Sequence, residues 1–276
     1  MRRTGFRRAV PWLTAGVFLF ALLAGAFRPA LKQWAALRFR APDYRAAEEA
    51  PAVLCAGDYV LFGSYAGEPI LWRVLALEEG RPLLFSERIL CFKAFAACDP
   101  PAAASSDWSR SALRQWLGAD GETVFWVGEP PDERHVYGGH NAYADEPGFL
   151  SSGNFDERQR ALISGKAGED AVFLPSRAQL QVMSARERQR GPAAAALARD
   201  DSPYLTLRRT VWYWTRDPIG TNECSVRAVT GKGTFYQDLA ADGLGGVCPA
   251  LRLRTGTVRA AGGDGSKGKP YWVRGE

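Results

Sequence analysis

Hydrophobic and polar positions follow a period of two in several short stretches and a helical period in a few others. Gly57–Phe62 alternates from a turn-type Gly-Asp pair, and Ile70–Leu77 (ILWRVLAL) is an apolar run broken only by Arg73. Glu78-Glu79-Gly80 then turns the chain into Pro82–Ser86. Three short strands with tight turns predict an antiparallel meander. In Trp108–Leu117 (WSRSALRQWL), Leu113, Trp116 and Leu117 share one helical face. Asn154 reads as the N-cap of a helix through Ile163, with Glu157 as its capping-box partner. Ser176-Arg-Ala-Gln179 carries the same signal for a helix to about Arg190, which Gly191-Pro192 ends. Ala193–Ala198 reads as a second short helix. Thr210–Thr215 (TVWYWT) is strongly strand-forming, and Asp217-Pro218 is expected to break it. Cys224–Val229, Thr234–Gln237 and Val247–Leu253 follow as strands separated by glycine turns. A strand group, a helical middle and a second strand group give an α+β fold, with helices segregated from a largely antiparallel sheet.

The N-terminus has a different pattern. Ala9–Phe27 contains no charged residue and follows Arg2, Arg3, Arg7 and Arg8. As a helix it covers roughly 28 Å, close to the hydrocarbon thickness of a bilayer. It predicts one transmembrane signal anchor at residues 9–27 behind a short basic cytoplasmic segment, 1–8. The competing reading is a cleaved signal peptide, since Ala24-Gly25-Ala26 has the small-x-small form of a cleavage site. A short basic N-terminus before a long C-terminal domain leaves the N-terminus inside. Residues 28–276 are therefore expected outside the cytoplasm, on a single-pass protein of the cell membrane. Residues 28–56 read as a juxtamembrane linker, with Pro29–Arg40 as a basic segment on the membrane surface. Residues 57–254 read as the globular domain and 255–276 as a flexible basic tail.

Charge changes the partner expected. The chain of 276 residues carries a net +5. Residues 1–45 hold +8 and residues 252–276 hold +4, which leaves −7 on residues 46–251. The globular part is acidic, so no nucleic-acid partner is expected. The bilayer is the partner of residues 9–27. Five cysteines, Cys55, Cys91, Cys98, Cys224 and Cys248, fit export only in part. In an oxidising compartment Cys91–Cys98 and Cys224–Cys248 are candidate pairs, leaving Cys55 free; buried free thiols are the alternative. No C-x-x-C pair occurs, which argues against structural zinc and thioredoxin-type chemistry.

Several landmarks, in order, resemble a bacterial domain family of unknown function found on secreted and surface-anchored proteins. They are G-D-Y-V-L-F-G-S-Y at Gly57–Tyr65, P-I-L-W-R-V-L at Pro69–Leu75 and L-L-F-S at Leu83–Ser86. W-x-x-S-x-L-R-x-W-L at Trp108–Leu117, G-F-L at Gly148–Leu150 and V-F-L-P-S at Val172–Ser176 follow. W-Y-W-T-R-D-P at Trp212–Pro218 and V-C-P-A-L at Val247–Leu251 complete the set. At fold level the resemblance implies a C-type-lectin-like or sulfatase-modifying-factor-like mixed sheet; it supplies no function. The chain departs from the family at Cys248, where an arginine is usual. It also carries an insertion, residues 119–147.

That insertion holds both histidines, His135 and His140, among Trp126, Tyr137, Asn141, Tyr143 and Asp145. Aromatic rings with amide and carboxylate partners suit a carbohydrate or peptide surface, so Trp126, His135, Tyr137, His140, Asn141, Tyr143 and, on the Trp212–Trp214 run, Trp214 are the candidate ligand contacts. The same run also suits sheet core. A metal site at His135, His140 and Asp145 lacks single-face helical spacing, and no catalytic residue, metal site or cofactor is expected. Gly231-Lys232-Gly233-Thr234 lacks the full phosphate-loop spacing and reads as a hairpin turn. The functional expectation is a membrane-anchored, extracytoplasmic, non-catalytic binding module for a cell-surface or extracellular carbohydrate or protein. The alternatives are an oxidoreductase of the formylglycine-generating type using Cys224 and Cys248, or a structural envelope protein.

Overall fold

A computed structural model describes residues 41–127, 131–138, 143, 146–165, 168–199, 209–220 and 222–274. The expected membrane anchor at 9–27 and the basic segment at 29–40 lie outside the described residues. No helix among the described residues is long and apolar enough to cross a membrane.

The meander forms as its pattern predicts. Strands β2 (Tyr59–Tyr65), β3 (Glu68–Glu78) and β4 (Arg81–Ser86) pair antiparallel, with Tyr65 opposite Glu68 and Glu78 opposite Arg81. Ala66-Gly67 and Glu79-Gly80 supply the turns, all four residues at positive φ. Two consecutive left-handed residues match the twist of a tight hairpin. With β13 (Tyr271–Trp272), β11 (Ala250–Arg252) and β6 (Val172–Phe173) these strands make a six-stranded sheet in the order β13-β2-β3-β4-β11-β6. A second sheet has the order β5-β10-β7-β8-β9, from β5 (Cys91–Phe92), β10 (Gly246–Val247), β7 (Tyr213–Ile219), β8 (Asn222–Val229) and β9 (Phe235–Leu239). Pairing is antiparallel except for β13 with β2 and β10 with β7. The fold is thus mixed α+β with mostly antiparallel sheets and few helices.

Helix α1 (Ala112–Gly118) buries Leu113, Trp116 and Leu117, the face its spacing predicts. Its start differs: Trp108–Arg110 is a separate 3₁₀ turn, because the Ser111 hydroxyl accepts from Arg114 N and caps the helix there. Helix α2 (Glu157–Leu162) is capped by Asp156, with Gln159 completing the box, rather than by Asn154 and Glu157. The helix expected to reach Arg190 is two single turns, α3 (Arg177–Leu180) and α4 (Ala185–Arg188). The second Ser-x-x-Glu box, Ser184 with Glu187, restarts the helix. Helix α5 (Ala194–Arg199) follows Gly191-Pro192.

Three further expectations are corrected. Strand β7 runs through Asp217-Pro218, because the register shifts between Trp214 and Ile219 and a bulge tolerates a residue without N–H. Val247–Leu253 is not one strand. Its first residues join one sheet and Ala250–Arg252 the other, with Cys248-Pro249 crossing between them. The described part of the expected flexible tail, residues 255–274, contains two paired strands. Strand β12 (Thr257–Ala261) pairs with β1 (Glu49–Val53), inside the expected linker, and β13 lies beside β2. Val258, Ala260, Ala261 and Val273 are buried there. The shared core takes Trp72, Val74 and Leu84 from one sheet, Trp214, Val226 and Val247 from the other, and Trp116 from α1. The three fully buried indoles each donate to a carbonyl: Trp72 to Phe62 at 2.7 Å, Trp214 to Lys93 at 2.9 Å and Trp116 to Pro147 at 3.1 Å. That satisfaction lets three large rings sit in a core without a polar penalty.

Candidate functional site

Two regions carry the chemistry marked out in the sequence. The first is the insertion. Its extended segment alternates inward and outward: Val124 is buried, Trp126 half-buried, while Phe125 and Val127 are 91% and 89% exposed. Trp126 meets Tyr143 edge-to-face at 5.4 Å, and Tyr143 meets Trp116 at 6.4 Å. Tyr143 is fully buried and its hydroxyl donates to Ala94 O at 2.5 Å. It is a core anchor, and the ligand-contact expectation for it is corrected on that ground. His135 closes a capping box in a 3₁₀ turn, its Nδ1 accepting from Asp132 N at 3.1 Å. Tyr137 is 42% exposed, and its backbone is tied to Ala241 O and Gly243 N. His140, Asn141 and Asp145 lie outside the described residues. Among the described residues no three His, Cys, Asp or Glu side chains gather to hold a metal ion.

Beneath the insertion lies a charged cluster that no motif marks. Lys93 is buried, with Nζ 2.8 Å from Glu146 Oε2 and 4.8 and 4.6 Å from the ring centres of Trp116 and Tyr143. Glu146 also pairs with Arg199 and accepts from the Tyr65 hydroxyl at 3.2 Å. The one sequence signal is a single lysine within the apolar stretch ILCFKAFAAC. A buried ammonium needs a carboxylate and ring faces around it, and this cluster supplies both.

The second region lies where β7 begins. Trp212 and Trp214, two residues apart, turn to one side and meet edge-to-face at 4.7 Å. Trp214 is fully buried, so the expectation that it contacts ligand is also corrected. Trp212, 9% exposed, meets Tyr236 of β9 at 5.8 Å. These two rings, with Arg209, Thr210, Thr230, Gly231, Lys232 and Thr234, line an open groove of about 650 Å³. The size falls within the range of small-ligand sites.

The sequence builds this groove with a rigid hairpin. Gly231-Lys232-Gly233-Thr234 joins β8 to β9, as its pattern predicts. The Thr230 hydroxyl accepts from Lys232 N at 3.3 Å and Thr234 N at 3.2 Å. Gly233 has φ +80°, and a Cβ there would lie 1.8 Å from Ala185 O. From the α4 side, Arg188 Nε donates to Gly233 O at 2.8 Å and Gln189 Nε2 to Lys232 O at 3.3 Å. Thr210 Oγ1 donates to Gly231 O at 2.8 Å, tying the Arg209–Thr210 segment to the turn. Neither Arg209 nor Tyr236 sits in a motif; the cues in the sequence are Trp212 in TVWYWT and the glycine-flanked Lys232.

All five cysteines are free thiols, and the expected pairs are not formed. The chain from Cys91 to Cys98 runs without a return turn, bonding in sequence to Gly245, Ala240 and His135. Cys224 lies on β8, and Cys248 follows β10, with β7 between them. Two strand spacings are roughly 10 Å, beyond the Cα separation a disulfide spans. Burial pushes the Cys91 thiol up to about 12, and burial raises Cys248 well above an ordinary thiol. Both are therefore protonated and unreactive at neutral pH.

Residues 79–255 match the family model described as Domain of unknown function (DUF6273). No curated protein and no solved structure matches the chain.

Proposed function

This chain belongs to the DUF6273 family, and from that premise we propose that it is a membrane-anchored, extracytoplasmic, non-catalytic binding module whose groove beside Trp212 and Tyr236 takes a saccharide. The observation that carries this reading is the groove itself: two aromatic rings and three threonines gathered where the segment before β7 meets a hairpin braced from two sides. Ring faces stack on the apolar faces of sugars, and hydroxyls beside them bond sugar hydroxyls. A braced frame loses little freedom on binding. The uncharged run Ala9–Phe27 behind four arginines supports the anchor and the outward placement. The C-type-lectin-like relationship and the bacterial surface setting implied by the motif order belong to this reading, and no residue role rests on them. Nothing favours the oxidase alternative, since Cys248 is buried and protonated and Cys224 is on another strand.

The test is equilibrium binding of the full chain to a panel of immobilised oligosaccharides, beside Tyr236→Ala. Tyr236 is partly buried against Trp212, so the variant is compared well below its own melting temperature; it is expected to lose retention about tenfold or more while remaining folded. Equal retention by wild type and variant, or capture of protein ligands alone, counts against the saccharide groove.

A further inference from the structure

The edges of the sheets differ in how they end. In the two larger sheets β13, β6 and β5 are edge strands of two residues each, whereas β9 (Phe235–Leu239) is an edge strand of five. In the two-stranded sheet β1 carries Pro51, and β12 is flanked by Val273 through a bridge at Ala260. Strand β9 has no proline, no lysine and no bulge against β8. Short strands, prolines, lysines and bulges are what keep an edge from pairing with another chain. The ladder also fixes which way the β9 backbone points. Thr230 N donates to Thr234 O and Ala240 N to Cys224 O, so the even-numbered residues of β9 bond β8. Phe235 and Gln237 therefore turn N–H and C=O outward, and among the described residues nothing bonds these groups. The Leu239 N–H is taken by Asp238 Oδ1 at 2.9 Å. Tyr137 of the insertion meets the chain beyond β9, at Ala241 and Gly243.

We infer that β9 pairs antiparallel with β9 of a second copy of this chain, with Gln237 on the two-fold axis; this is independent of the saccharide reading. The order of residues in the strand argues for a second copy as the occupant. About Gln237, the sequence FYQDL sets Phe235 opposite the partner's Leu239 on one face and Tyr236 opposite the partner's Asp238 on the other. Leu239 is 43% exposed, and the partner's Phe235 covers it. The Phe235 ring is itself held by the guanidinium groups of Arg177 and Arg188, 5.3 and 4.8 Å from its centre. Tyr236 donates to Asp238 of its own strand at 3.1 Å, and the seam offers it the same kind of acceptor. In-register parallel pairing would instead set Asp238 beside Asp238, a like-charge contact. Gln237 exchanges both backbone bonds with the partner's Gln237, and Phe235 N donates to the partner's Leu239 O. Such a contact closes at two copies. The joined sheet carries both Tyr236 side chains on one face as diagonal neighbours, their Cα atoms about 7–8 Å apart, and so sets two grooves side by side.

The test is site-directed crosslinking and mass measurement of the full chain in detergent. In Gln237→Cys, made with Cys55→Ser to remove the exposed native thiol, the paired Cα atoms lie about 5.5 Å apart, within disulfide range. A mild oxidant is expected to link residue 237 to residue 237 in most molecules. Lys232→Cys, exposed at the hairpin tip, is expected to link several-fold less. Light scattering corrected for detergent is expected to give the wild type twice its 30.2 kDa. Gln237→Pro removes an outward N–H, which an edge strand tolerates, and is expected to raise the dimer dissociation constant about tenfold or more with native circular dichroism. Leu239→Glu, a second exposed change, sets a carboxylate against the partner's Phe235 and acts in the same direction. A wild type of single mass overturns the pairing. So does a dimer that both variants leave intact and that does not link through residue 237.

Discussion

The insertion and the groove use aromatic residues in opposite ways. In the insertion, Trp126 and Tyr143 face inward, onto Trp116 and the buried Lys93–Glu146 pair. Phe125 and Val127 point outward and are almost fully exposed. In the groove, Trp212 is nearly buried and Tyr236 partly buried, both line an open space, and the hairpin beside them is bonded by Thr210, Arg188 and Gln189. A segment of mixed chemical character is therefore fastened down by its aromatic residues, while a plain strand and a glycine hairpin present a surface. Chemical variety in a loop is a weak guide to binding until burial is known.

Lys93→Met strikes the insertion's fastening and carries the largest expected effect. Removing the ammonium leaves Glu146 buried with one cation fewer, at a cost of about 3 kcal/mol. Urea unfolding of the full chain checks this; a loss under about 1 kcal/mol would make the cluster incidental. Gly233→Ala strikes the groove's frame. The left-handed backbone and the Ala185 carbonyl together cost about 1–3 kcal/mol, and saccharide retention falls as the turn shifts. Retention unchanged in that variant would separate the turn from the binding surface.

A smaller effect, dependent on pH, comes from Glu187, which caps α4 beneath the hairpin. Its carboxyl is lowered from 4.5 to about 2, first by the Ser184 N–H and then by Arg73. A depressed carboxyl stabilises fully above its unfolded value and loses that contribution as pH falls from about 4.5 towards 2. Glu187→Gln should lower the melting temperature slightly at neutral pH, and the gap should close near pH 2. A gap that widens with acid would refute the role of the ionised cap. Smallest of all, Phe125→Ser with Val127→Ser should change stability by no more than about 0.5 kcal/mol and leave retention intact. Loss of retention there would move the ligand surface to the insertion.

Much of the sheet was legible in the sequence because period-two runs and glycine turns are local signals. Tyr59–Tyr65, Glu68–Glu78 and Arg81–Ser86 pair in the expected meander, and α1 buries the expected face. What was not legible depends on contacts far along the chain. The 257–261 strand reads as a basic tail because its partner, Glu49–Val53, lies about two hundred residues earlier. Pro218 reads as a breaker until a bulge accommodates it. The same limit governs the site. The Gly231–Thr234 turn and the Trp212 strand were visible, but nothing local joins them to Tyr236 or Arg209. Trp214 and Tyr143 carry the right chemistry for a ligand, and only the packing shows that Lys93 and Ala94 already hold them.

Ligand bound in the groove and ligand bound at the insertion leave different footprints. Hydrogen–deuterium exchange of the full chain, with and without a saturating oligosaccharide retained from the panel, separates the two regions. A groove-bound ligand slows exchange at residues 209–212 and 230–236 and leaves 131–138 unchanged. Protection confined to the insertion, or none at either region, would contradict binding in the groove.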